Sequence, residues 1–105
     1  MGLRTQKTNE VVLSDFRLFE TDEFLKQFRK LPSQDSAFLQ KKLKDYVYPQ
    51  LKKQPFWGNN IKKLQGYSPA TWRYRIGRFR LFYVINKKER IISILTVDLR
   101  KNAYR

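Results

Sequence analysis

The 105-residue chain has no cysteine and no histidine, a single methionine and only nine acidic residues. Without cysteine there is no disulfide framework, no thiolate zinc site and no cysteine nucleophile. Without histidine there is no Ser-His relay and no histidine-ligated metal, and the side chain most often used as a base at neutral pH is missing. Any catalysis has to run on lysine, arginine, tyrosine, aspartate or glutamate. Long hydrophobic runs are lacking too. The longest nearly apolar stretch, residues 91–97, is interrupted by Ser93 and Thr96 and is far too short to cross a bilayer. Arg4 and Lys7 are followed by no apolar segment of the secretory kind. These absences predict a cytoplasmic protein with no membrane partner, no bound metal and no cofactor.

Positive charge is abundant. Twenty-three Lys and Arg give a formal net charge of +14, and the pI is about 10.3. Such a chain calls for a polyanionic partner: nucleic acid, an acidic protein or anionic lipid, of which lipid is the weakest. Hydrophobic residues at 41% and aromatics at 15% are too many for a disordered chain of this charge. The length suits one domain with a modest core. The charge is unevenly spread. Residues 1–52 hold 10 basic and 7 acidic side chains, whereas residues 53–105 hold 13 basic and only Glu89 and Asp98 as acids. A binding face in the C-terminal half is the expectation.

Residues 1–10 show no apolar periodicity and read as a flexible arm ahead of a single domain over 11–105. A first strand is expected around Phe16 to Phe19. Thr21 reads as an N-cap, with Asp22 and Glu23 in the first helical turn, where the dipole favours anions. Phe24, Leu25, Phe28 and Leu31 then mark one helix face, and Pro32 stops the helix. Ser33 or Ser36 caps a second helix with Leu39, Leu43, Tyr46, Val47 and Leu51 inward, and Pro49 ends or kinks it near Tyr48. Residues 54–60, with Pro55 and Gly58, form a loop. Strands follow at Trp72 to Ile76, Phe79 to Ile85 and Ile91 to Val97, with a polar turn at residues 86–90. The last strand is apolar at nearly every position, as for a strand covered on both faces. The predicted fold is α+β: two N-terminal helices on one face of a small antiparallel sheet, in the order β-α-α-β-β-β.

The stretch from Trp72 to Tyr83 is the most informative. Gly77-Arg78 has glycine first, the preference of a type II′ hairpin turn. That turn pairs Ile76 with Phe79, Arg75 with Arg80, Tyr74 with Leu81, Arg73 with Phe82 and Trp72 with Tyr83. One face then carries Trp72, Tyr74, Ile76, Phe79, Leu81 and Tyr83, and the other carries Arg73, Arg75, Arg80 and Phe82. Like charges facing each other across a sheet repel, by about 0.2–1 kcal/mol per pair, so three arginines on one face call for an anion. Guanidinium suits phosphate, through a fixed fork of donors and permanent charge. An edge hairpin that uses charge against aggregation is the plainer alternative.

These residues resemble a known group. Residues 61–66 (IKKLQG), 72–83 (WRYRIGRFRLFY) and 96–104 (TVDLRKNAY) are similar to the RelE/ParE superfamily of bacterial and archaeal toxins. The resemblance implies a fold like that of a microbial ribonuclease and, in the RelE branch, cleavage of messenger RNA in the ribosomal A site by metal-independent 2′-hydroxyl attack. It implies catalytic roles for Arg73, Arg75 and Arg80 on the strands, for Arg100 after the last strand, and for Tyr104 in the tail. Lys62, Lys63, Arg78 and Phe82 would bind RNA, with Phe82 offering a surface for a base. The implied partners are the ribosome, messenger RNA and a cognate antitoxin with an acidic segment, the toxin being a monomer within a toxin–antitoxin hetero-oligomer. A ParE-like inhibitor of DNA gyrase and a plain RNA-binding module are the alternatives.

Overall fold

The computed structural model describes residues 15–99. The element order is β1 (Arg17–Glu20), α1 (Asp22–Arg29), α2 (Ser33–Lys42), a π-helical turn (Leu43–Val47), α3 (Tyr48–Lys53), β2 (Ile61–Lys63), β3 (Trp72–Ile76), β4 (Phe79–Asn86) and β5 (Ile91–Leu99). One five-stranded sheet forms, in the spatial order β1-β5-β4-β3-β2. The class is the α+β one expected, with two corrections. β1 runs parallel to β5, so the sheet is mixed. A three-residue edge strand, β2, is added beside β3. The N-terminal arm read at residues 1–10 lies outside the described residues.

Thr21 does cap α1: its hydroxyl accepts the Phe24 N–H at 3.2 Å, and Asp22 and Glu23 fill the first turn. The same hydroxyl donates to the Ile94 carbonyl at 2.7 Å and so ties the helix to β5. Phe24 is buried, Phe28 and Leu31 are half-buried, and Leu25 is exposed at the edge of the expected face. Pro32 stands at the N-cap of α2, so that helix starts from Ser33 without a side-chain cap.

Pro49 does not end the second helix. The chain widens first: the Tyr48 N–H reaches back five residues to the Leu43 carbonyl, and Pro49 then falls in the opening turn of α3, where its missing N–H costs little. Leu39, Leu43, Val47 and Leu51 keep an i, i+4 spacing through this turn and are all buried. Tyr46, expected inward, is instead exposed, because that spacing leaves it beside the buried stripe.

The core lies between these helices and one face of the sheet. Phe24, Leu39 and Leu51 meet Tyr74, Leu81, Tyr83, Ile92 and Ile94 there. Fully burying a large apolar side chain stabilises by roughly 1.5–3 kcal/mol, so this layer dominates the fold. Two hydroxyls in it are satisfied. Tyr83 donates to the Pro55 carbonyl at 2.8 Å, and Tyr74 donates to Gln50 Oε1 at 2.6 Å. No helix among the described residues is long and apolar enough to cross a membrane.

The last strand corrects the sequence reading. It is not covered alike on both faces: Ile92, Ile94 and Val97 are its buried residues. Phe82 pairs with Thr96 but Tyr83 pairs with Ile94, which leaves Leu95 as an extra residue in a β-bulge. Alternation therefore changes phase at Leu95. Val97 points to the core, while Thr96 and Asp98 take the opposite face. The backbone groups around the bulge are engaged by α1: the Val97 N–H donates to Gln27 Oε1 at 3.1 Å, and the Thr21 hydroxyl also lies 3.2 Å from the Leu95 carbonyl.

Candidate functional site

The β3–β4 hairpin has the expected register throughout, from Trp72↔Tyr83 to Ile76↔Phe79. Gly77 has φ of 58°, and Arg78 is not among the positive-φ residues, as a type II′ turn requires. A Cβ at Gly77 would also come within 3.3 Å of the Phe38 ring on α2. The turn is thus fixed by backbone conformation and by close packing together.

Arg73, Arg75, Arg80 and Phe82 all lie on the face opposite the helices. Arg75 and Arg80 are direct cross-strand partners, an arrangement that puts Cβ atoms about 5 Å apart. Edge strand β2 adds another cation, because Lys62 pairs with Arg73 and shares its face. Lys63, the next residue, turns to the other face, where its Nζ stands 5.4 Å from the Trp72 ring. The Arg73 guanidinium donates through Nη1 to the Asn60 carbonyl at 3.1 Å. Arg80 lies over Phe82, with 4.9 Å between Cζ and the ring centroid. Arg75 is exposed and makes no ion pair among the described residues.

Sequence reasoning missed Asp98. It is the β5 partner of Arg80, and the two form a two-pronged ion pair, Nε to Oδ1 and Nη2 to Oδ2, each at 3.2 Å. Part of the anion that the arginine face calls for is therefore supplied by the chain itself. The signal was present: Asp98 is one of only two acids beyond residue 52. Its placement depends on the Leu95 bulge, which composition does not reveal. Asp98 is 43% exposed and Arg80 26%, so the pair is partly solvated; its role is to hold the guanidinium in one orientation more than to stabilise the fold.

Arg78 stands apart from this group. It sits in the turn and reaches to α2, where Nη2 pairs with Asp35 Oδ1 at 2.8 Å. Arg100 and Tyr104 lie outside the described residues. Over β2, β3, β4 and the facing end of β5, the face thus gathers Lys62, Arg73, Arg75 and Arg80 with the Asp98 carboxylate and the Phe82 ring. Such a surface is suited to holding a phosphate, with preorganised donors aimed from adjacent strands.

Residues 19–104 match the family described as ParE toxin of type II toxin-antitoxin system, parDE. The protein named RelE1 of Methanocaldococcus jannaschii is 44% identical over 46 residues, which is 44% of this chain and 50% of that protein. The chain thus aligns with about half the length of this curated relative. Among solved structures, the RelBE2 toxin-antitoxin complex of Mycobacterium tuberculosis superposes with a TM-score of 0.63 at 25% identity, covering 82% of this chain and 99% of that one. The YoeB/ParE toxin of Agrobacterium tumefaciens gives 0.64 at 18% identity, covering 80% and 98%. Fold and sequence agree that the chain belongs to the RelE/ParE superfamily, the family of type II toxin–antitoxin toxins.

Proposed function

We propose that this toxin is an endoribonuclease that cleaves messenger RNA on the ribosome in the cytoplasm and so inhibits translation. The observation that carries this reading is the convergence of Arg73, Arg75 and Arg80 from two adjacent strands onto one face, with Lys62 alongside. In the proposed reaction the ribose 2′-hydroxyl attacks the neighbouring phosphorus. A 2′-oxygen–phosphorus bond forms, the bond to the 5′-oxygen breaks, the hydroxyl proton leaves to a base, and the 5′-oxygen gains a proton. Negative charge grows on the phosphoryl oxygens, and the guanidinium groups gathered from two strands stabilise it. Asp98 keeps Arg80 aimed. Arginine stays protonated, so proton transfer falls to other groups, and Lys62 and Asp98 are the described members of the face able to exchange one. Tyr104 and Arg100 keep the roles the resemblance implies, proton exchange or stacking and support of the leaving oxygen. Phe82 offers a base its ring edge.

A neutralising antitoxin is part of the proposal. The solved relative from Mycobacterium tuberculosis is a toxin–antitoxin complex, and a cluster of Lys62, Arg73, Arg75 and Arg80 around one carboxylate complements an acidic segment. The family match over residues 19–104 carries the ParE description and supports a second reading, inhibition of DNA gyrase without nuclease activity. Primer extension on transcripts after induction separates the two. On the nuclease reading, wild type gives new 5′ ends within reading frames and Arg75→Ala lowers the cleavage rate by about 10²-fold or more, with a melting curve close to wild type because Arg75 is exposed. Growth arrest accompanied by DNA damage and intact transcripts would instead establish the gyrase reading.

A further inference from the structure

A second cationic surface lies on the other side of the sheet, and the reading above does not use it. At the strand ends remote from the Gly77 turn, a cleft of about 770 Å³ opens between the 54–57 loop, β2 and the β4–β5 turn. Its aromatic wall is made by Phe16, Phe56, Trp57 and Trp72. Trp72 and Phe16 are buried, whereas Trp57 is 67% exposed. Phe56 packs edge-on against both Phe16 and Trp72, each at 5.9 Å, so the wall is one connected aromatic unit.

Cations line the same cleft. Lys63 Nζ stands 5.4 Å from the Trp72 ring, Lys87 Nζ 5.5 Å from Phe56, and the Arg90 guanidinium 4.1 Å from Phe16. Each is attracted to the negative face of a ring and is held at the wall. Lys53 completes the set, and no aspartate or glutamate is among the described residues that line the cleft. The loop bearing Trp57 is fastened by Gln54. Its Oε1 accepts the Phe56 and Trp57 N–H groups at 2.6 and 2.9 Å, and its Nε2 donates to the Trp57 carbonyl at 2.7 Å. The exposed indole is therefore on a braced platform.

We propose that this cleft is a second RNA site: a seat for an unpaired base of a ribonucleotide chain, stacked on Trp57, with flanking phosphates on Lys53, Lys63 and Lys87. The volume lies within the range of about 300–1,000 Å³ usual for small-molecule sites. A polyanion alone needs only the lysines; the exposed indole adds a flat apolar partner, and single-stranded nucleic acid offers both units in alternation. Duplex RNA keeps its bases stacked inward and cannot present one to the cleft. Edge strand β2 links the two surfaces, since Lys62 points to the arginine face and its neighbour Lys63 to the cleft. The site does not depend on the arginine face being a nuclease.

The test is optical. Both tryptophans of the chain line the cleft, so the emission of the full chain reports on this site and not on the arginine face. Titration with hexauridylate should quench that emission. The exposed-surface variant Lys53→Glu/Lys87→Glu should bind at least tenfold more weakly at unchanged melting temperature, and Trp57→Ala about tenfold more weakly when labelled hexauridylate is followed by anisotropy. Arg75→Ala, which weakens the nuclease reading's site, should still be quenched. Unchanged emission at saturating hexauridylate, equal quenching by an RNA duplex or by polyglutamate of the same charge, or insensitivity to the charge reversals would each overturn the proposal.

Discussion

Asp98 shows how one carboxylate can organise several cations. Its two oxygens take the Nε and Nη2 of Arg80, which leaves that side chain little freedom to swing toward solvent, while Arg75, the direct neighbour of Arg80, has no such brace. On the nuclease reading, Asp98→Asn should lower the single-turnover cleavage rate about tenfold through misaimed donors, with stability changed by less than about 1 kcal/mol because the pair is partly exposed. Denaturant melts run beside the kinetics check both halves of that statement, and Asp98→Glu should recover part of the rate. Gly77 makes the opposite kind of demand. Alanine there would meet a φ of 58° and the Phe38 ring at 3.3 Å, so Gly77→Ala should destabilise by about 1–2 kcal/mol, read from urea unfolding. This glycine was legible in the sequence because II′ turns ask for it by name; Asp98 was not, because its partner is set by pairing with a distant strand.

At the level of elements, the hairpin from Trp72 to Tyr83 could be read residue by residue: turn and strands are contiguous, and period two sorts the side chains. Thr21 was equally plain as a cap. What the cap also does was hidden, since its hydroxyl donates to β5, more than 70 residues along the chain. Thr21→Ala removes the cap and this tether together and should cost about 1–2 kcal/mol in chemical denaturation, more than an isolated cap in a peptide. Three features resisted reading for separate reasons. β2 is three residues long, too short for an alternating pattern. β1 pairs in parallel with the most distant strand in sequence, β5, so nothing local announces it. Leu95 is as apolar as Ile94, so nothing in its own side chain marks it as surplus; the trace it leaves is that the polar positions switch from odd, Ser93, to even, Thr96 and Asp98. Pro49 looked like a terminator, but a π-helical turn ahead of it resets the hydrogen bonding so that the proline opens a new helical segment.

For the molecule as a whole, the absence of histidine removes the usual source of pH sensitivity near neutrality. Tyrosines set the alkaline limit. Burial pushes the hydroxyls of Tyr83 and Tyr74 up, and burial together with donation to Glu20 pushes that of Tyr48 up. A raised folded-state value means the native protein holds protons that the unfolded chain releases from about pH 10. This contribution is complete below pH 10 and is lost as pH rises through the folded-state values. Unfolding free energy should therefore fall above about pH 10, and Tyr83→Phe should show a shallower decline, measurable by denaturant titration between pH 8 and 11. The surplus Leu95 has a consequence of another kind. The strand after it obeys an inverted parity, so a regular ladder that took Leu95 in as a paired residue would turn Val97 outward and drive the carboxylate of Asp98 among the oily side chains beneath. Loss of that single codon, in contrast, would set Thr96 directly after Ile94 and keep both faces as they are.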